Sequence, residues 1–128
     1  MVLTADQQTA LRARLEEERT RMQADLDQLD AEIVALGQSQ AVEAGSTGNH
    51  FADDATDIME QERDLALIGN VRELLRDVEH ALVRMDQGTY GLCERCGKPI
   101  NPERLEALPA ARLDIDCKAL EDRRNRRS

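Results

Sequence analysis

Two apolar seams with heptad spacing run along the first two thirds of the chain. The first recurs at alternating steps of four and three residues and comprises Met22, Leu26, Leu29, Ile33 and Leu36. The second comprises Ile68, Val71, Leu75, Val78, Leu82 and Met85. Because residues at this spacing share one face of a helix, each seam needs a partner helix to cover it. Two seams of similar length predict a long antiparallel coiled-coil hairpin.

A capping signal opens the first helix. Residues 4–7 (TADQ) have the Ser/Thr-x-x-Glu/Gln form of a capping box, whose side chains satisfy free amides at a helix start. Neither Gly nor Pro follows until Gly37, so the helix is predicted over about 4–36 and Gly37 is expected to end it. Continued toward the amino end, the heptad register meets Arg12 and Arg19. We therefore expect looser packing there, or packing completed by another part of the chain.

The linker between the seams is rich in Gly, Ser and Thr and then becomes acidic, without any Lys or Arg. It is predicted to form the hairpin tip as a loop over about 37–56. Asp53 or Asp54 is suited to cap the second helix, which is predicted over about 54–87 with Gly88 as its C-terminal cap. The tip is thus a concentrated negative end of the hairpin.

Cysteines spaced as in a metal knuckle follow the second seam. Cys93 and Cys96 form a C-x-x-C turn, and Asp114-x-x-Cys117 stands where a second C-x-x-C is expected. Two such turns close a tetrahedron around zinc, and metal binding supplies folding energy that so small a fragment lacks. We predict a zinc site on the three thiols with Asp114 as the fourth ligand. The adjacent Asp116 is a competing carboxylate.

A metal-free finger is the alternative, with the cysteines left as free thiols. It would fold on its apolar residues, which are Ile100, Leu105, Leu108, Leu113 and Leu120. His50 and His80 are predicted to be surface residues, and His80 lies on a predicted helix far in sequence from the thiols. After Cys117 the sequence predicts a short terminal helix that ends in arginines.

Composition narrows the class of protein. One Tyr, one Phe and no Trp cannot build an ordinary globular core, so the fold class is mainly α with elongated helices. The net charge of −9 argues against binding duplex DNA through the whole surface, since phosphate contacts need clustered Lys and Arg. No apolar run approaches the roughly 18 residues that a membrane span needs, and no leader is evident. Three cysteines, an odd number, fit a reducing compartment, so a cytoplasmic protein is expected.

The knuckle carries a family motif, Y-G-x-C-x-x-C-G-x-x-I-x-x-x-R-L-x-A-x-P followed by I-D-C-K. Its matching residues are Tyr90, Gly91, Cys93, Cys96, Gly97, Ile100, Arg104, Leu105, Ala107, Pro109, Ile115, Asp116, Cys117 and Lys118. With the hairpin and its acidic tip, the chain resembles the DksA/TraR family of bacterial transcription regulators. The resemblance implies a coiled-coil hairpin over 1–88 and a zinc-finger-like domain with a basic C-terminal helix over 89–128.

The same resemblance implies a function. Members of the family bind RNA polymerase directly and insert the coiled-coil tip through the secondary channel toward the catalytic centre. Their D-x-x-D-x-A tip motif falls here on His50, Asp53 and Ala55, and the neighbouring Asp54 can supply the second acidic group. The resemblance thus implies a monomeric regulator, without enzyme activity or sequence-specific DNA binding, that belongs to the stringent response. Some members respond to the alarmone ppGpp.

Other functions stay open at this point. A thiol redox or zinc-responsive sensor would release metal when Cys93 or Cys96 is oxidised, because a carboxylate ligand weakens the site. A coiled-coil adaptor with an unspecific acidic end is the plainest alternative. Metal-assisted transcript cleavage at the tip is disfavoured, since Asp53 and Asp54 are sequence neighbours and point in different directions on a helix.

Overall fold

The computed structural model describes the backbone of residues 3–43 and 51–127 and the side chains of residues 3–37, 56 and 58–126. Four helices follow one another: α1 (Ala5–Glu43), α2 (Phe51–Gln87), α3 (Pro102–Ala107) and α4 (Ile115–Arg127). Among the described residues the only extended pairing is an isolated bridge between Leu92 and Pro99. The mainly α fold class is confirmed. None of the described helices is long and apolar enough to cross a membrane.

The amino end of α1 is capped as predicted. The Thr4 amide donates to Gln7 Oε1 at 2.9 Å, and the Gln7 amide donates to Thr4 Oγ1 at 3.1 Å. These reciprocal bonds form a complete capping box. They satisfy backbone donors that have no partner within the helix itself.

The predicted end of α1 is wrong, because the helix continues through Gly37 to Glu43. Gly37 does not have the positive φ of a C-terminal cap. A glycine inside a helix costs only about 1 kcal/mol relative to alanine, and the Gln, Ala and Glu residues that follow favour helix. A single glycine therefore does not stop this helix.

The predicted start of α2 is likewise too late, because the helix begins at Phe51. Asp53 and Asp54 lie in its first turns rather than before it. Acidic residues are favoured there by the helix dipole, as they are at the cap position, so both placements suit the same sequence. The two described helices together take up much of the predicted 37–56 loop.

The chain divides into two compact units, and one of them is Arg21–Leu75. In this unit the predicted seams meet in one cluster, in which Leu26, Ile68 and Leu75 are buried. The partly buried side chains packed on it are Met22, Leu29, Ile33 and Val71. Both seams are confirmed here. Asp64, four residues before Ile68 on the same seam, is also buried, with only 2% of its surface exposed.

The other unit comprises Met1–Thr20 and Arg76–Ser128. Its buried side chains come from α1, from the end of α2 and from the finger: Leu11, Leu15, Val78, Ala81, Leu82, Tyr90, Cys93, Ile100, Leu105 and Cys117. Leu11 rather than Arg12 turns inward, and Arg12 instead pairs with Asp86, Nη2 to Oδ1, at 2.8 Å. This ion pair places the start of α1 beside the end of α2, as an antiparallel hairpin requires.

The carboxyl end of α2 closes as predicted at Gly88, which has a φ of 77°. The Gly88 amide donates to the Met85 carbonyl at 3.2 Å, and the Thr89 amide donates to the Arg84 carbonyl at 2.9 Å. This pair of bonds is a Schellman motif, in which a residue with positive φ turns the chain out of the helix. The turn leads directly into the finger. The predicted boundary between a hairpin over 1–88 and a finger over 89–128 stays a prediction.

Candidate functional site

Three thiols and one carboxylate converge in the finger. One ligand atom from each of Cys93, Cys96, Asp114 and Cys117 lies within 4.8 Å of the others. Tetrahedral zinc–sulfur bonds of about 2.3 Å place ligand atoms roughly 3.8 Å apart, so the cluster needs only a small contraction to hold the ion. None of the three cysteines is in a disulfide. The residues predicted as ligands are therefore brought together in an arrangement that fits zinc.

Backbone hydrogen bonds shape the first half of the cluster. The Gly97 amide donates to the Cys93 carbonyl at 2.9 Å, and the Cys93 amide donates to the Lys98 carbonyl at 2.8 Å. Gly97 has a φ of 77°, which lets the chain reverse directly after Cys96. The result is a tight knuckle with the Cys93 side chain buried and the Cys96 side chain exposed.

The second half of the cluster is the start of α4. Asp114 precedes the helix, and its Oδ1 accepts a hydrogen bond from the Cys117 amide at 2.7 Å. Its Oδ2 accepts a hydrogen bond from the Cys96 thiol at 3.1 Å. Asp114 is thus the N-cap residue of α4 as well as a member of the cluster. The sequence analysis does not predict this capping role. The usual signal for it is an aspartate directly before the first residue of a helix, which is the position of Asp114.

The cluster sets the acidity of its own members. The pKa of Asp114 is lowered to about 2, chiefly by the Cys117 amide and then by the Cys96 thiol. Burial opposes ionisation of Cys93, but hydrogen bonds from backbone amides, that of Cys96 first, outweigh it and lower the pKa of this thiol to about 7. Burial and the neighbouring carboxylate raise the pKa of Cys117 to about 12. The metal-free cluster therefore holds one ready carboxylate and thiols of unequal acidity.

Charged residues on α2 hold the knuckle from one side. Glu94, between the two cysteines of the turn, contacts His80 through its Oε1 and pairs with Arg84 at 3.4 Å. Asp77 pairs with Arg112 at 3.0 Å, and the Glu94 amide donates to the Arg112 carbonyl at 2.9 Å. His80 is a partly exposed surface residue, as predicted, but the fold brings it beside the knuckle. Its ring contacts Glu94, and it is not a member of the cysteine cluster.

The residues predicted to contact polymerase lie at or before the start of α2. Asp53, Asp54 and Ala55 lie in the backbone of α2, but their side chains fall outside the described residues, and His50 falls outside them altogether. Their role as a polymerase contact stays a prediction.

Comparison with known proteins connects the finger to a family. The family model described as the prokaryotic dksA/traR C4-type zinc finger matches residues 88–123, which include all members of the cysteine cluster. Over 69 residues the chain is 52% identical to YteA of Bacillus subtilis, a match that covers 54% of this chain and 29% of YteA. It is 35% identical over 94 residues to the RNA polymerase-binding transcription factor DksA of Escherichia coli, covering 66% of this chain and 62% of that protein.

The fold has a solved counterpart. The structure of the transcription factor DksA2 from Pseudomonas aeruginosa superposes with a TM-score of 0.76 at 29% identity, and the match covers 95% of this chain and 88% of that one. The chain spans less than two thirds of the length of YteA and of Escherichia coli DksA. The helical hairpin, the finger motif and these likenesses all indicate the same family. The chain belongs to the DksA/TraR family.

Proposed function

We propose that this protein is a transcription regulator that binds RNA polymerase directly and inserts the hairpin tip into the secondary channel to modulate initiation. The observation that carries the proposal is the sequence likeness to relatives named as RNA polymerase-binding transcription factors, together with the likeness in fold to a solved transcription factor. A non-enzymatic role fits, because the regulator acts by contact near a catalytic centre that belongs to polymerase.

Charge supports the direction of insertion. Residues 37–57, which link the two seams, contain Glu43, Asp53, Asp54 and Asp57 and neither Lys nor Arg. A negative tip favours a partner surface with positive charge. Asp53 and Ala55, with Asp54 as a neighbour, are the proposed contacts in the active centre. No sequence-specific contact with DNA is needed for this action.

Zinc is proposed to have a structural role in the finger. Cys93, Cys96, Cys117 and Asp114 would hold the ion, which cross-links the two halves of the finger when bound. The finger residues themselves pack against α1: the Arg14 guanidinium donates to the carbonyl of Glu106 at the end of α3. The finger thereby supports the base of the hairpin, where α1 begins and α2 ends.

The oligomeric state, the compartment and the co-regulator of the protein are proposed from its family. The regulator works as a monomer in the cytoplasm, where polymerase acts, and belongs to the stringent response. The nucleotide ppGpp is proposed as a co-regulator to be tested with polymerase present. Each of these statements rests on the family and not on a contact within this chain.

The proposed function is tested by measuring the affinity of the purified protein for core RNA polymerase and its effect on initiation in vitro. Asp53→Asn is expected to leave binding largely intact while removing most of the effect on initiation. Asp25→Asn is the matched control, since it makes the same chemical change at an exposed position of α1. Absence of binding by the wild-type protein would refute the proposal.

A second function is favoured by the exposed thiol of Cys96. Hydrogen peroxide would oxidise this thiol to a sulfenic acid with release of water, and the Cys93 thiol would condense with it to a disulfide and a second water. The bound metal would then lose two ligands. Zinc content measured before and after mild peroxide tests this sensor function, and unchanged zinc would exclude it.

A further inference from the structure

Asp114 uses its two carboxylate oxygens for different purposes. Oδ1 accepts the Cys117 amide at 2.7 Å, and the Asp114 carbonyl accepts the Lys118 amide at 2.9 Å, which is the first hydrogen bond of α4. Oδ2 points to the cysteine cluster, 3.1 Å from Cys96 Sγ. The cap and the cluster therefore do not compete for the same oxygen.

A cysteine at this position could not do both. A side-chain oxygen of Asp, Asn, Ser or Thr satisfies a free amide at the start of a helix, and the negative charge of Asp adds to the favourable interaction with the helix dipole. Sulfur is a weak hydrogen-bond acceptor. A fourth thiol would complete a softer metal site but would leave the first turn of α4 without its cap.

Contacts that need no metal also hold the segment leading to Asp114. The Tyr90 hydroxyl donates to the Pro109 carbonyl at 2.7 Å, and Arg104 Nε donates to the Leu113 carbonyl at 3.0 Å. Arg112 is held through its side chain by Asp77 and through its carbonyl by the Glu94 amide. The second half of the cluster is thus anchored at several points before any ion binds.

We propose that Asp114 lets the finger keep α4 folded without metal: its Oδ1 caps the helix in both states, while its Oδ2 serves as the fourth ligand when zinc binds. The substitution of a carboxylate for a thiol at this position therefore separates the folding of α4 from metal binding. In a finger closed by four thiols, the metal itself organises the fold.

Three variants of the full chain separate the two roles of Asp114. Asp114→Asn keeps an oxygen for the cap but removes the charged ligand. Asp114→Cys supplies a fourth thiolate but removes the cap. Asp114→Ala removes both. Each is compared with wild type in metal-free and zinc-loaded form, by amide hydrogen exchange at Cys117 and Lys118 and by zinc affinity in competition with a chromophoric chelator.

The variants are expected to differ from wild type in amide protection and in zinc affinity. Metal-free wild type and Asp114→Asn keep these two amides protected, whereas metal-free Asp114→Cys and Asp114→Ala lose most of the protection. Zinc restores protection in Asp114→Cys, and Asp114→Asn binds zinc about tenfold or more weakly than wild type. The proposal is overturned if chelation removes protection in wild type as fully as in Asp114→Cys. It is also overturned if Asp114→Asn binds zinc as tightly as wild type.

Discussion

The hydroxyl of Tyr90 donates a hydrogen bond to the carbonyl oxygen of Pro109 at 2.7 Å, across the finger. The Tyr90 side chain is buried, and it is the only tyrosine of the chain. This bond joins the turn that leaves α2 to the segment that leads to α4. Tyr90 therefore links the segment before the C-x-x-C turn to the segment before Asp114.

Removing that hydroxyl should weaken the protein measurably. Tyr90→Phe keeps the ring but leaves the Pro109 carbonyl without its donor, which is expected to lower the free energy of unfolding by about 1 kcal/mol. Chemical denaturation at neutral pH with zinc bound measures this change. Thr9→Val is the control for removal of a polar group, because the exposed Thr9 hydroxyl donates only to the Ala5 carbonyl of its own helix at 3.0 Å, and it should lower stability much less. Equal stability of Tyr90→Phe and wild type would contradict the structural role of the bond.

The same residue predicts a loss of stability at alkaline pH. Burial, as the main cause, raises the pKa of Tyr90 from 10.0 to about 12. The fold therefore favours the neutral phenol, so this contribution to stability is complete below pH 10 and is lost as the pH rises toward 12. Ultraviolet titration of the single tyrosine together with thermal unfolding from pH 9 to 12 tests it. A Tyr90 absorbance transition centred at pH 10 in the folded protein would show that the prediction is wrong.

Leu15 should contribute strongly to the stability of the protein. Its side chain is fully buried, and Leu15→Ala is expected to lower the free energy of unfolding by about 2 to 5 kcal/mol. Leu74→Ala is the matched control, because 53% of the Leu74 surface is exposed on α2. Equilibrium unfolding in urea compares the two variants. If both substitutions lower the free energy of unfolding by the same small amount, Leu15 does not lie in a packed core.

Asp64 should be a site where an apolar residue stabilises the hairpin. The side chain is buried on the α2 seam, and its Oδ1 lies 3.4 Å from Nη2 of Arg63, whose side chain is largely exposed. Asp64→Leu removes the cost of burying a carboxylate beside the cluster of Leu26 and Ile68, and is expected to raise the free energy of unfolding by about 1 to 2 kcal/mol. Glu62→Leu, an exposed position of the same helix, should change little. A destabilised Asp64→Leu variant would show that the carboxylate has a stabilising partner.

Local patterns in the sequence were enough to predict much of this fold. The capping box at Thr4, the Schellman turn at Gly88 and the seams around Leu26 and Ile68 depend on residues close together in the chain, so spacing alone identifies them. The cysteine cluster was predictable for the same reason, because each half is a short turn of defined spacing. These features need no knowledge of how distant segments pack.

Other features depend on tertiary packing or on a balance of small energies. Leu11 replaces Arg12 in the core because α1 there packs within a unit that also contains the finger, which the heptad register alone does not specify. Gly37 stays helical because its small cost is offset by its neighbours. His80 meets Glu94 only through the fold. The cap at Asp114 is hard to predict because the same aspartate also stands at a metal-ligand position.

The central claim, that the hairpin tip enters the secondary channel of RNA polymerase, is tested most directly by site-specific crosslinking. A photo-crosslinking amino acid is placed at Ala55 in the first turns of α2, and the matched control carries it at the exposed Ala24 of α1. After irradiation with core polymerase, mass spectrometry locates the crosslinked peptides. Crosslinks from position 55 to peptides that line the channel near the catalytic centre are predicted. Crosslinks from position 55 only to the outer surface of polymerase, or none while position 24 reacts, would contradict the claim.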